Sequence, residues 1–200
     1  MDTKKRMAGS YEIIQALHIG DKEVVLGEDE LNKDGQKFMT AYCTTNDFFA
    51  SYEDVWVSDN YAEIVKYYGE RVAEEAEKMK TEIEQLDVPH AVITAEQCYP
   101  NDYAESIDGK VIAIKVSVLR PEYQRADRQI FLVDGGFGAS ANSRGSAVFC
   151  YNVHTGKHTR WERRDVEGVI KDEAMPAWAK EKLKTLMVEH KKTQKDKEER

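Results

Sequence analysis

The stretch from Ser58 to Asp87 constrains the fold more than any other part of the sequence, because its apolar side chains recur at steps of three and four residues. This spacing places them on one side of a helix of about thirty residues. Ser58 or Asp59 can cap the first turn, and Pro89 disfavours helical backbone in the residue before it. The apolar residues are Tyr61, Ile64, Val65, Tyr68, Val72, Ala76, Met79, Ile83 and Leu86. The pattern predicts one long amphipathic helix over 58–87.

The other side of this helix is charged, mostly acidic, and expected to face water. It carries Glu63, Lys66, Glu70, Arg71, Glu74, Glu75, Glu77, Lys78, Lys80, Glu82 and Glu84. We expect the apolar side to pack on a sheet of the same chain. Its near-heptad spacing is also compatible with a homodimer formed through this helix.

Short β-leaning runs precede and follow the helix. Before it, a hairpin turning at Ile19-Gly20-Asp21 is followed by two more strands, so that the predicted strands are Tyr11–His18, Lys22–Leu26, Lys37–Cys43 and Tyr52–Val57. After it, the runs are Lys110–Leu119, Gln129–Val133, Ala147–Val153 and Lys157–Arg163. A second helix is predicted at about 176–190, with Pro176 in its first turn. The fold class is α+β, with antiparallel sheets and one long central helix.

These elements predict two parts, 1–88 with a β-meander and the long helix, and a strand-rich part over 89–190. The last ten residues, 191–200, are too polar to bury surface, and we expect them to be disordered. No run of eighteen apolar residues occurs, which predicts a soluble, cytoplasmic protein without a membrane segment. The three cysteines show no paired spacing, which is typical of reduced core thiols.

Charge is distributed unevenly along the chain. Residues 1–100 hold 21 Asp+Glu against 10 Lys+Arg, whereas residues 101–200 hold 16 against 19. An acidic surface binds nucleic acid poorly, since neutralising phosphates is what gives non-specific affinity. It can instead attract a basic groove on another protein.

A glycine-rich segment, Asp134–Ser146, superficially resembles a phosphate-binding loop. Such loops precede a helix, whereas this one precedes a predicted strand, so a long hairpin loop is favoured. Phe137 and Arg144 in that loop are candidates for contact with a partner. The basic and aromatic run Arg160–Arg164 is a further contact patch, although a cross-strand ladder is the simpler interpretation.

Two arrangements leave an enzymatic alternative open. Cys150, His154 and His158 have a spacing that suits metal ligands across a hairpin, but a structural zinc site needs a fourth ligand and none is indicated. A thiol dyad is conceivable between His90 and either Cys43 or Cys98, although no spacing selects it. We predict no metal, no cofactor and no catalytic residue, with a small metal- or thiol-dependent enzyme as the alternative.

Three stretches, 11–30, 98–152 and 154–168, resemble small accessory proteins carried on conjugative elements, plasmids and prophages of gut Firmicutes. The resemblance covers most of the chain. It implies an accessory protein of a mobile element that binds a host defence enzyme, as an anti-CRISPR inhibitor of the type II RNA-guided nuclease does. It supplies no catalytic motif.

We therefore expect a non-enzymatic inhibitor whose acidic surface competes with DNA for a basic groove of a host nuclease. Direct nucleic-acid binding by the acidic half is not expected. The candidate partner-binding residues are Glu28, Asp29, Glu30, Glu70, Glu74, Glu75 and Glu77 on the acidic half, with Phe137 and Arg144 as the competing site.

Overall fold

The long helix is present as α1 (Tyr61–Gln85), and its ends differ slightly from those predicted. Asn60, rather than Ser58 or Asp59, is the N-cap: its side chain accepts hydrogen bonds from the backbone N–H groups of Ala62 and Glu63. The computed structural model describes residues 5–45 and 49–198, with side chains up to residue 187. Its internal contacts divide the chain into two compact units, Met1–Leu86 and Asp87–Arg200, called here unit 1 and unit 2.

Unit 1 contains a five-stranded antiparallel meander and α1. The strands, in both sequence and spatial order, are β1 (Met7–Ala8), β2 (Tyr11–Ile19), β3 (Lys22–Glu28), β4 (Phe38–Thr45) and β5 (Ala50–Ser58). The predicted hairpin is confirmed between β2 and β3, where Gly20 has a positive φ of 61°. Because most other residues disfavour this conformation, Gly20 defines the position of the turn.

The sheet of unit 1 is apolar on both faces near its centre. Tyr42 contacts α1, and Val24 and Thr40 share its face because Val24 lies opposite Tyr42 and Thr40 is two residues away. The other face carries a second cluster formed by Ala8, Val25, Met39, Ala41 and Cys43. Tyr52, on β5, packs against this cluster, and its hydroxyl donates to the carbonyl of Met7.

Unit 2 contains a six-stranded antiparallel sheet with the strand order β10-β9-β8-β7-β11-β6. The strands are β6 (Cys98–Pro100), β7 (Val111–Ile114), β8 (Ile130–Gly135), β9 (Ala147–Asn152), β10 (His158–Glu162) and β11 (Val166–Ile170). Two helices accompany it, α2 (Ala126–Gln129) and α3 (Ala177–Glu198). The predicted α+β class with antiparallel sheets is confirmed. α3 extends eight residues beyond the predicted end and includes most of the segment expected to be disordered.

The prediction of a continuous strand over Lys110–Leu119 is wrong. β7 ends at Ile114, which is the last residue paired with β11, and a 3₁₀ turn follows at Val116–Val118. Lys115 is the first residue after β7, and its backbone N–H donates to the carbonyl of Asp165 at 2.9 Å. The alternating apolar pattern of the sequence continues past Ile114, whereas the pairing with β11 ends there.

β6 and β11 were not predicted, because both are short and Gly168 interrupts the apolar pattern of β11. Gly168 lies opposite Pro100, and a Cβ atom there would collide with the carbonyl oxygen of Tyr99. Glycine therefore allows β6 to approach β11 closely enough to pair.

Two apolar clusters cover the two faces of this sheet. One packs α3, through Ala179 and Leu186, against Ile130 and Leu132. The other lies on the opposite face around Ile112 and Val148.

Candidate protein-binding surface

The orientation of α1 decides which charged residues face solvent. Ile64 is fully buried, but Arg71 is half-buried and Glu75 is only 9% exposed. The prediction that Arg71 and Glu75 lie on the outer face of the helix is therefore wrong. The carboxylate of Glu75 is paired with the ammonium group of Lys78 at 2.9 Å.

Arg71 connects the helix to a bulge in the edge strand β5. Its guanidinium lies 5.0 Å from the ring centre of Tyr42 and donates to the carbonyl of Asp54. Asp54 has a positive φ of 50°, and the pairing register between β4 and β5 shifts at this point. A bulge changes the direction in which the following side chains point. Arg71 thus stabilises the backbone immediately before Val55 and Trp56.

Trp56 is the main apolar feature of this surface. Its side chain is 51% exposed, and its ring centre lies 4.7 Å from that of Tyr67 on α1. Tyr67 is half-buried, so the two rings form a supported aromatic pair with one side open to solvent. Tryptophan and tyrosine are enriched among the residues that contribute most to protein–protein binding.

Exposed carboxylates border the aromatic pair. Glu70 and Glu74 lie three and seven residues after Tyr67, so they project from the same side of the helix. Glu70 pairs with Lys66 at 3.5 Å, and Glu74 pairs with Lys78 at 2.8 Å. The hydrogen bond from Lys78 lowers the pKa of Glu74. We call Trp56, Tyr67, Glu70 and Glu74 the Trp56 surface.

The other predicted acidic residues are Glu77, on the same side of α1 as Glu70 and Glu74, and Glu28, Asp29 and Glu30 at the end of β3. Glu77 is exposed on α1 and pairs with Lys80 at 3.3 Å. Glu28 ends β3 opposite Phe38, and Phe38 contacts Tyr61 in the first turn of α1. The turn Glu28-Asp29-Glu30 therefore lies beside the start of the helix, whereas Glu70 is nine residues further along, or about 14 Å. The acidic residues form two separate surfaces.

Phe137 and Arg144 occupy the loop between β8 and β9 in unit 2, and the predicted hairpin connection is confirmed. A Cβ atom at Gly136 would collide with the carbonyl oxygen of Ala147, and one at Gly138 with that of Ser146. The glycines thus allow the two halves of the loop to pack on each other. Phe137 is 78% exposed on this closely packed loop.

The three residues of the metal alternative are not arranged as ligands. Cys150 is buried and its thiol faces the carbonyl of Thr159, while the ring of His154 packs edge-on against Trp178. His158 lies on β10 opposite Tyr151. Among the described residues, no group of three or more His, Cys, Asp or Glu side chains could hold a metal ion.

The three cysteines are free and buried, as predicted. Burial raises the pKa of Cys98 to about 11 and that of Cys150 to about 12. Burial also raises the pKa of Cys43, despite a contact of 3.1 Å from Arg6 Nη2. Because the thiolate is the nucleophile, these environments disfavour thiol chemistry at neutral pH.

Sequence reasoning did not single out Trp56. It lies in the predicted strand Tyr52–Val57, and a tryptophan in a strand is usually assigned to a core. The homodimer stays a prediction; on α1, Tyr61 and Val65 are exposed. Within the described part of the chain, no helix combines the length and apolar character needed to cross a membrane.

Comparison of the chain with protein-family models, with curated proteins and with solved structures finds no match.

Proposed function

We propose that the protein is a non-enzymatic inhibitor that binds a host defence protein, and that the Trp56 surface makes the contact. The observation that carries this proposal is the half-exposed Trp56 ring, which is supported by Tyr67 and bordered by Glu70 and Glu74. A rigid aromatic residue inside a charged border is the usual composition of a protein-binding hot spot.

Charge supports a basic partner. Residues 1–86 hold 19 Asp+Glu against 10 Lys+Arg. A groove that binds DNA is positively charged and attracts such a surface at long range. The ion pairs on α1 are compatible with a basic partner, because exposed pairs contribute about 0.2–1 kcal/mol each. The carboxylates of these pairs can therefore bind a partner's arginines and lysines in place of their own lysines.

The resemblance to mobile-element accessory proteins supports the choice of an RNA-guided nuclease of type II as the partner. In this proposal the Trp56 surface occupies the groove that receives DNA and excludes it by competition. Electrostatic steering then governs the association rate, and the aromatic pair slows dissociation.

Binding to a purified type II nuclease–guide complex at low ionic strength tests the proposal. Trp56→Ala should weaken binding by about thirtyfold, the effect of losing a hot spot worth about 2 kcal/mol. The triple variant Glu70→Lys, Glu74→Lys, Glu77→Lys should mainly slow association, and increasing salt should reduce the difference from the unmodified protein.

Phe137→Ala is the matched control, since it removes an exposed aromatic ring from unit 2. Circular dichroism should first confirm that every variant is folded. Phe137→Ala should then bind like the unmodified protein. A loss of binding in Phe137→Ala but not in Trp56→Ala would transfer the contact to the glycine-rich loop. Absence of binding by the unmodified protein at low salt would refute the choice of partner.

A further inference from the structure

Unit 2 contains a cleft that plays no part in the proposed function. It lies between the segment 118–128 and the strands β8, β9 and β10, and its volume is about 280 Å³. We call it the basic cleft. Its lining residues are Val118, Leu119, Arg120, Tyr123, Arg128, Phe131, Asn152, Thr155, Lys157, Thr159 and Trp161.

The lining of the basic cleft carries positive charge only. Arg120, Arg128 and Lys157 contribute to it, and no carboxylate is among its lining residues in the described chain. Asp127, which precedes Arg128 in the chain, is buried and accepts hydrogen bonds of 3.0 and 3.2 Å from Arg125. Asp127 also lies 3.6 Å from Arg128, so two arginines share one carboxylate.

Two nitrogen donors of lining residues have no acceptor. Arg128 Nε and Trp161 Nε1 are buried, and neither of them has a hydrogen-bond partner within the described residues. Buried donors without acceptors are unfavourable. A ligand in the basic cleft that offers acceptors to these two donors would lower this cost.

Aromatic rings form the remainder of the lining. The guanidinium of Arg128 lies 4.6 Å from the ring centre of Tyr123, and that of Arg120 lies 5.9 Å from it. On the strand side, Trp161 contacts Phe131 edge-on at 5.9 Å. Planar bases stack favourably on aromatic side chains.

The wall and the floor of the basic cleft are held together by buried amides. Asn152 Nδ2 donates to the carbonyl of Asp127 at 2.8 Å, and Asn152 Oδ1 accepts from the backbone N–H groups of His154 and Thr155. Gln129 is fully buried and bonds to backbone groups of Ile93 and Ile114. A site whose position is defined before binding loses less entropy when a ligand arrives.

We propose that the basic cleft binds a nucleoside monophosphate. Arg120, Arg128 and Lys157 neutralise the phosphate, and the base lies against the aromatic side of the cleft at Trp161. The volume of about 280 Å³ lies just below the range of small-molecule sites, about 300–1,000 Å³, which favours a small ligand.

Titration of ¹⁵N-labelled protein followed by NMR tests this proposal. The probes are the four ribonucleoside 5′-monophosphates, with adenosine, ribose 5-phosphate and inorganic phosphate as matched fragments. At least one nucleotide should bind with a dissociation constant of about 1 mM or tighter and shift the Trp161 indole signal. Each fragment should bind at least about tenfold more weakly, since it lacks either the charge or the ring.

The double variant Arg120→Gln, Lys157→Gln should reduce nucleotide affinity at least about tenfold. Both residues are exposed, so the fold should remain unchanged. Arg160→Gln is the matched control, because Arg160 lies on β10 next to Thr159 and Trp161 and points to the other face.

Three results would overturn the assignment. One is that none of the four nucleotides shifts the Trp161 signal. Another is that Arg160→Gln reduces the affinity for the nucleotide as much as the double variant does. That result would indicate nonspecific electrostatic attraction. The last is that a single-stranded oligonucleotide binds while no mononucleotide does, which would indicate a surface that follows a nucleic-acid backbone.

Discussion

Replacing Arg163 by methionine should destabilise unit 2 by about 4 kcal/mol. Arg163 is 1% exposed, and its hydrogen-bond acceptors within the described residues are neutral oxygens. Nε donates to Asn101 Oδ1 at 2.8 Å, Nη1 to the carbonyl of Gly138 at 3.1 Å, and Nη2 to the carbonyls of Asp102 and Glu105 at 2.7 and 3.2 Å. The side chain thus joins the segment 101–105 to the glycine-rich loop.

The magnitude follows from these four bonds. A hydrogen bond between neutral groups contributes about 1 kcal/mol net, which is less than a bond from a charged group contributes. We use the neutral value for Arg163 because the guanidinium loses its hydration when it is buried. The desolvation is visible in the pKa of Arg163, which burial lowers. Methionine retains most of the side-chain volume, so a cavity adds little. A loss of about 4 kcal/mol is close to a thousandfold change in the ratio of folded to unfolded molecules.

Native-state hydrogen exchange measures this loss separately in each unit. In Arg163→Met, backbone amides of β8 and β9 should exchange faster by about that factor, while those of β3 and β4 in unit 1 provide an internal reference. Arg164→Met is the matched control: Arg164 is 81% exposed and its only ion pair among the described residues is at 3.9 Å from Asp165. It should change stability by no more than about 0.5 kcal/mol. If β8 and β9 amides of Arg163→Met exchanged within about fivefold of the unmodified protein, the four bonds would not hold unit 2 together.

Two further predictions concern titration and thiol chemistry. Burial lowers the pKa of His154, so the unfolded chain takes up a proton that the folded chain does not. The free energy of unfolding should therefore fall as pH decreases through about 6.5 and level off below the lowered pKa, and urea titrations of His154→Gln should lack this step. Cys98 and Cys150 should react with an aromatic disulfide reagent only after unfolding, because at pH 8 a thiol with a pKa of about 11 is ionised in about one molecule in a thousand. Reaction of either thiol in the native protein at the rate of free cysteine would show that the site is open to solvent.

Elements whose signals are local can be predicted from the amino-acid sequence alone. The apolar spacing of 58–87 predicts α1, because helical hydrogen bonds join residues four apart and the period appears within the segment. The hairpin at Gly20 is local for the same reason, since a turn needs only its own backbone conformation. The α+β class follows from the alternation of such segments along the chain.

The end of a strand and the direction of a charged side chain depend instead on contacts between elements that are distant in sequence. Lys110–Leu119 alternates along its length, but pairing stops at Ile114 because β11 supplies no further partner. Glu75 belongs to the charged side of α1 by composition, yet packing of the helix on the sheet of unit 1 leaves it only 9% exposed. Both outcomes depend on a neighbouring element that is distant in sequence.

The candidate sites depend on the same long-range contacts. Trp56 and Tyr67 belong to different elements, and only the packing of α1 on β5 brings their rings to 4.7 Å. Arg120 and Trp161 are forty-one residues apart, and they line one cleft because the sheet places β10 beside the segment 118–128. The sequence shows how many charges and rings the chain carries, whereas the fold decides which of them share a surface, because side-chain proximity is set by strand order and register.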